Sequence, residues 1–161
     1  GFTLAEILIG IAVIMILAGV AVVSFSVLEE DAMETALVQS LQRVRTGIDY
    51  FMFQHDEDTP GYDPDSGSWS ASAFENQLTQ ATDEDGDWAA PGTAGFAYGP
   101  YLLDGMPTNP FNELDTVLLI PPAGAFGGPD DSTGWVYFAS TGFFRANTPG
   151  TAPSGTPFYD L

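Results

Sequence analysis

The side chains that could take part in chemistry are mostly carboxylates. The 161-residue chain has 22 Asp and Glu, 3 Lys and Arg, one His and no Cys. Without cysteine there is no thiolate nucleophile, thiolate metal site or disulfide. The one imidazole, His55, precedes Asp56 near the expected end of a helix, where a cation interacts favourably with the helix dipole. The sequence has no Gly-x-Ser-x-Gly, Walker or dinucleotide-binding glycine pattern. We therefore expect a protein that is not an enzyme.

The carboxylates group in three loops, at residues 56–65, 83–87 and 130–131. In the second loop a carboxylate stands at every other position, but the glycine is misplaced for an EF-hand and no glutamate stands at position twelve. We interpret these charges as solvated. The formal net charge of −19 repels phosphates, which excludes nucleic acid as a partner.

Glu6 is the carboxylate in the most unusual place, because residues 7–28 after it carry no charge. A carboxylate beside lipid is costly and by default indicates a function. The sequence from Thr3 to Glu6 also matches a capping box, with Phe2 and Ile7 placed as a hydrophobic staple. The two interpretations are compatible, because a capping carboxylate near the membrane interface can still meet an amine of another chain.

The element that positions Glu6 is a long predicted helix. An apolar run of 22 residues makes a helix of about 33 Å, enough to span a bilayer. An amphipathic pattern follows, and the first proline is Pro60, so one helix over residues 4–53 is allowed. We expect a transmembrane or filament-core half at residues 1–28 and a globular head at 29–161, which includes the amphipathic helix half 29–53. The apolar stripe of that half comprises Leu37, Leu41, Val44, Ile48 and Phe51 or Met52.

The rest of the head is predicted to be rich in loops, since all 12 prolines lie from Pro60 onward. Ser72 and Glu75 form a second capping box, which predicts a short helix over residues 73–81. Apolar and β-branched runs predict strands at 116–120, 135–139 and 143–147. A small antiparallel sheet of these strands would cover the stripe of the long helix. The fold class predicted is therefore α+β.

The hexapeptide from Gly1 to Glu6, followed by the apolar run, resembles the N-terminus of type IV pilins and of the major pseudopilins of type II secretion. In that superfamily a prepilin peptidase cuts after a glycine and methylates the new first residue, usually Phe. The fifth residue of the mature chain is a glutamate. The resemblance makes Gly1 the last leader residue, Phe2 the mature start and Glu6 that glutamate. The presence of Gly1 departs from a processed chain.

The resemblance implies a type IV pilin-like fold in which the apolar helix half protrudes from the head. It also implies that Glu6 pairs with the N-terminal ammonium of a neighbouring subunit in a filament. Such a pair would fix the axial register between apolar helices, since an unpaired buried charge is penalised.

A weaker resemblance covers residues 98–102, 106–111 and 134–137 and favours the pseudopilin branch. Major pseudopilins hold calcium in the loop joining the last strands, and residues 127–132 fall in that place. This implies a calcium site at Asp130, Asp131 and Ser132. An ion is also a plausible means of fixing a loop in a chain without disulfides. No other cofactor is expected.

The function that the resemblance implies is that of a major pilin, a structural subunit that polymerises with itself. It would reside in the inner membrane before assembly and in a cell-surface filament afterwards. Its other partners would be the prepilin peptidase and the pilus assembly machinery. Two alternatives stay open at this point. One is a major pseudopilin of a type II secretion system, in the periplasm, and the other is a membrane-anchored binding module that never polymerises.

Overall fold

The computed structural model describes the backbone of residues 1 and 3–161 and the side chains of 1, 3–18 and 28–161. Phe2, predicted as the staple partner and as the mature start, lies outside the described residues. Helix α1 spans Leu4–Gln54, which confirms the single long helix predicted over residues 4–53. Within those described ranges, no helix is both long and apolar enough to cross a membrane.

The capping box predicted at the start of α1 is confirmed. The Thr3 hydroxyl accepts a hydrogen bond from the Glu6 backbone N–H at 3.3 Å, and Glu6 Oε2 accepts one from the Thr3 N–H at 2.8 Å. Each side chain thus satisfies a backbone donor that the first helical turn would otherwise leave unpaired.

The apolar stripe on the second half of α1 is also confirmed. Its five principal side chains are 0–2% exposed, and Met52 packs partly buried against the same core. The spacing of three and four residues puts them on one face, because an α-helix turns once in about 3.6 residues. Those side chains are Leu37, Leu41, Val44, Ile48 and Phe51.

The second helix, α2, spans Ala71–Thr79, two residues earlier than predicted. Its N-cap is Ser70, whose hydroxyl accepts from the Ala73 N–H at 3.0 Å. The predicted cap, Ser72, lies in the first turn instead and accepts from the Asn76 side chain. The earlier start buries a face of α2 that includes Phe74 and Gln77, so packing decides between two serines with similar capping ability.

The strands form three small sheets. Strands β1 (Tyr62–Asp63) and β2 (Ser68–Trp69) make an antiparallel pair, as do β3 (Ala81–Thr82) and β4 (Trp88–Ala89). The third sheet has the order β5-β6-β7, and its strands lie where the sequence predicted them. They are β5 (Val117–Ile120), β6 (Trp135–Phe138) and β7 (Phe143–Ala146).

The third sheet is mixed, which corrects the predicted antiparallel sheet. Strands β6 and β7 pair antiparallel, but β5 and β6 pair parallel. A parallel pair needs a crossover of roughly a dozen residues or more, and residues 121–134 provide it. Side-chain alternation fixes which face of a strand is buried but not the direction in which its neighbour runs, so this pairing was not visible in the pattern.

The core lies between α1, α2 and the third sheet. The ring of Phe74 on α2 packs 4.2 Å from that of Tyr137 on β6, and Trp135 stacks 5.2 Å from Phe144 on β7. Both α2 and β7 contact α1. The α+β class is confirmed, and the sheet with α2 covers the apolar stripe as predicted.

Candidate functional site

Residues 4–17 of α1 present apolar side chains that the rest of the described chain does not cover. Large side chains between Leu4 and Leu17 are 45% (Ile11) to 77% (Leu4) exposed. Contiguous apolar exposure on this scale usually marks an interaction surface. We therefore regard this segment as the main candidate site.

A second exposed surface continues along the head half of α1, on the face opposite the core. Its members recur every three or four residues and all are exposed. Five carboxylates lie between Glu29 and Gln54; none is a member of this stripe, but Asp31 and Asp49 border it. Arg43 lies at its edge, and that guanidinium donates back to the Gly105 carbonyl at 2.8 Å. We name it the outer stripe: Leu28, Ala32, Thr35, Gln39, Gln42, Thr46, Tyr50 and Phe53.

The predicted processing and assembly residues lie at the tip of α1. Gly1 is exposed, and Glu6 stands in the first helical turn. Its Oε2 accepts from both the Thr3 N–H and the Thr3 hydroxyl, at 2.8 and 2.9 Å. The carboxylate is therefore held in place by the cap and stays exposed at the end of the apolar surface.

The predicted calcium residues lie together in the loop before β6. Asp130 Oδ1 accepts from the Ser132 N–H, the Ser132 hydroxyl and Asn147 Nδ2, at 3.1, 2.7 and 2.9 Å. The Asn147 carbonyl groups accept in return from the N–H groups of Asp130 and Asp131. Asp131 has a φ of 59°, and its Oδ1 accepts from Asn112. The loop is thus fixed by the buried Asn147 amide.

This arrangement does not by itself supply the roughly six to eight oxygen ligands that calcium takes. Asp130 Oδ1 already accepts three hydrogen bonds. Among the residues whose side chains the structure describes, no three His, Cys, Asp or Glu are grouped to hold a metal. The calcium site at Asp130, Asp131 and Ser132 stays a prediction from resemblance, without support from this geometry.

The hydrogen bonds at Asp130 make the loop sensitive to acid. Ser132 first, and then Asn147, lower the pKa of the Asp130 carboxyl by bonding its charged form. Because the folded pKa is depressed, this stabilisation is present at neutral pH and is lost as the pH falls through the folded value. The melting temperature of the wild type should fall as the pH is lowered from 7 to 2. In Asp130→Asn we expect it to fall less over the same range, as measured by thermal unfolding. An unchanged slope, with Asp131→Asn as control, would contradict this role.

Three buried carboxamides are structural residues that the sequence analysis missed. Gln77, Asn109 and Asn147 are each at most 2% exposed, and each bonds segments distant in sequence. Asn109 Nδ2 donates to the Gly134 carbonyl at 2.8 Å and to the Thr148 hydroxyl at 2.9 Å. The one available signal was the Asn-Pro pair at Asn109, which favours a turn but says nothing about these partners.

The three arginines also serve the fold of the head. Arg43 donates to the Gly105 carbonyl. Arg45 donates to the carbonyls of Phe144 and Leu161, at 3.0 and 2.7 Å. Arg145 donates to the Tyr159 carbonyl at 2.9 Å. Arg45 thus ties β7 and the C-terminal residue to α1, and Arg145 ties the C-terminal segment to β7.

Comparison with protein-family models, curated proteins and solved structures finds no match to this chain. What the protein does is therefore inferred from its own residues and their geometry.

Proposed function

We propose that this chain is the structural subunit of a helical filament of the type IV pilus kind, and that it polymerises through α1. The observation that carries the proposal is the exposed apolar surface from Leu4 to Leu17 with a capped carboxylate, Glu6, at its tip. Surface of this kind is unstable in water and needs either lipid or other copies around it. Before assembly the apolar half resides in the inner membrane, and afterwards it forms the filament core at the cell surface.

The outer stripe supports the same proposal from charge. The chain has a formal net charge of −19, so most surfaces of two copies repel each other. A neighbouring helix that packs along the centre of the outer stripe meets uncharged side chains, so the exposed carboxylates of Asp31 and Asp49 at its border can stay in water and avoid the desolvation cost of an ion. Exposed Tyr50 and Phe53 add apolar area to that contact near the C-terminal end of α1.

Glu6 supplies what an apolar surface lacks, a defined axial register. Packed apolar rods can slide past one another at small cost, because dispersion and hydrophobic contacts are not directional. A carboxylate that pairs with the N-terminal ammonium of a neighbour allows one register and leaves charges unpaired in the others. Leaving one partner of a buried ion pair alone costs about 3–5 kcal/mol. The prepilin peptidase that frees this amine, and an assembly machinery, belong to the same proposal.

Replacing Glu6 with glutamine tests the proposal. The amide oxygen still reaches the Thr3 N–H, so the cap survives while the charge is removed. We expect the variant to fold and to enter membranes, but to assemble at least about 100-fold less, in line with a loss of 3 kcal/mol or more. Assembly is measured by sedimentation and electron microscopy of filaments formed by the full chain after detergent removal.

Glu30→Gln is the matched control, because it removes an exposed carboxylate from the same helix away from the apolar tip. It is expected to assemble like the wild type. Normal filaments from Glu6→Gln would remove the register role of Glu6. Absence of filaments from the wild-type chain with its N-terminus at Phe2 would instead favour a membrane-anchored module that does not polymerise.

A further inference from the structure

His55, the only histidine of the chain, is enclosed between the end of α1 and the acidic loop of residues 83–87. It is 5% exposed. Its Nδ1 lies 2.8 Å from the Phe51 carbonyl oxygen, and its Nε2 lies 2.9 Å from the Asp83 carbonyl oxygen. Both ring nitrogens therefore face groups that only accept hydrogen bonds.

A neutral imidazole cannot satisfy both contacts. It carries one N–H, so its other nitrogen would turn a lone pair toward a carbonyl oxygen. An imidazolium carries two N–H groups and donates to both. We propose that His55 is an imidazolium clamp that ties the acidic loop to the end of α1, and that loss of its proton releases the loop.

The surroundings of the ring offer partners for an imidazolium. The last turn of α1 has no basic residue, so His55⁺ is the cation that complements this helix end. The Phe51 ring stacks on it at 3.9 Å and the Tyr98 ring meets it edgewise at 5.3 Å. The titratable groups on the neighbouring segments are all carboxyls or phenols: Asp56, Glu57 and Asp58; Tyr62; Asp83, Glu84, Asp85 and Asp87; Tyr98 and Tyr101.

The loop has few other ties to the head. Internally, Asp83 Oδ1 accepts from the N–H groups of Asp85 and Asp87, at 3.1 and 3.0 Å. Externally, Gln77 Nε2 donates to the Gly86 carbonyl at 2.8 Å. Without the bond from His55 to Asp83, the Gln77 contact and the adjoining β3–β4 pair remain. Glu84, Asp85 and His55 also line one cavity of about 820 Å³, so movement of the loop changes the wall of that cavity.

The direction of the switch follows from the chemistry. Histidine is the side chain that ordinarily changes charge between about pH 5 and 8. When both ring nitrogens of His55 carry a proton the clamp is closed, and when one of them loses its proton the loop is released. Asp87 needs a control of its own, because burial and the neighbouring carboxylates raise its pKa. The switch is a property of the head and does not depend on polymerisation.

The test uses nuclear magnetic resonance on the full chain in detergent micelles, where a single histidine gives unambiguous ring signals. At pH 5.5 we expect both ring nitrogens of His55 to be protonated. Between pH 5.5 and 8 the hydrogen-exchange protection of the Asp85 and Asp87 amides should fall about tenfold, as for one lost hydrogen bond. In His55→Gln this protection should not change over the same range, while Asp87→Asn should keep the wild-type response. The indole N–H of Trp135, bonded to the Pro107 carbonyl, reports that each variant is folded.

Three results would overturn the clamp. The first is a ring with one protonated nitrogen at pH 5.5. The second is loop protection in the wild type that does not depend on pH. The third is a pH response that persists in His55→Gln and vanishes in Asp87→Asn. If His55→Gln fails to fold, the ring signals and the loop protection of the wild type still decide between these outcomes.

Discussion

Replacing Gln77 with leucine is expected to destabilise the head by about 3–5 kcal/mol, although leucine is the more apolar residue. The Gln77 amide accepts from the Gly61 N–H at 2.6 Å and donates to the Tyr62 and Gly86 carbonyls at 2.7 and 2.8 Å. Leucine would leave these three backbone groups without partners, and each unsatisfied buried group costs about 1–3 kcal/mol; the lower part of that sum applies, because the Tyr62 carbonyl is only partly buried. The side chain is 2% exposed, so water can replace the amide only if the loops move apart.

Urea unfolding of the full chain in micelles, followed by near-ultraviolet circular dichroism, measures this loss. Gln80→Leu is the matched control, since Gln80 is the C-cap of the same helix and its side chain donates only to the Asn76 side chain. A partly exposed position of this kind is expected to change stability by about 0.5 kcal/mol. Equal losses in the two variants would mean that the three Gln77 bonds contribute nothing net.

Replacing Phe74 with alanine is expected to cost about 3–5 kcal/mol, as for other fully buried phenylalanines. The ring is 0% exposed and lies 4.2 Å from Tyr137 and 6.0 Å from Phe144. It thus joins α2 to two strands of the third sheet, and its removal leaves a cavity that rigid neighbours cannot fill.

Phe53→Ala is the control for this second change, because it deletes the same atoms from a ring that is 84% exposed. The same urea titration should show a change of less than about 0.5 kcal/mol for this variant. A small loss in Phe74→Ala would show that the sheet moves to close the cavity. It would then follow that the contact between α2 and the sheet is adaptable.

The long helix was predictable because its signals are local. A turn of about 3.6 residues makes the burial of Leu37, Leu41 and Val44 a direct consequence of spacing, and the cap at Thr3 depends on residues three apart. The α+β class followed from the order of these elements. What the sequence could not supply was geometry set by distant partners. The direction of β5 beside β6 depends on how the crossover of residues 121–134 runs.

In the candidate surfaces, too, the features set by local sequence were predictable and those set by distant partners were not. The apolar run and Glu6 were visible as composition, and the structure adds the outer stripe, on the side of the head half of α1 opposite the core. His55 was predicted as a cation at a helix end, but its contact with Asp83 joins residues 28 apart and leaves no pattern. The buried amides were missed for that reason as well, since the partners of Asn147 lie 14 to 17 residues away in sequence.

The carboxamide ties have a consequence for the unfolded chain. A disulfide stabilises a protein largely by shortening the loops of the denatured ensemble, so it acts before any native contact exists. Gln77, Asn109 and Asn147 impose no such restriction, because their bonds exist only when their partners are already in place. No such cross-link restricts the denatured head, and these ties stabilise the protein only through the folded state. Their formation needs no oxidant, and a reductant does not undo it.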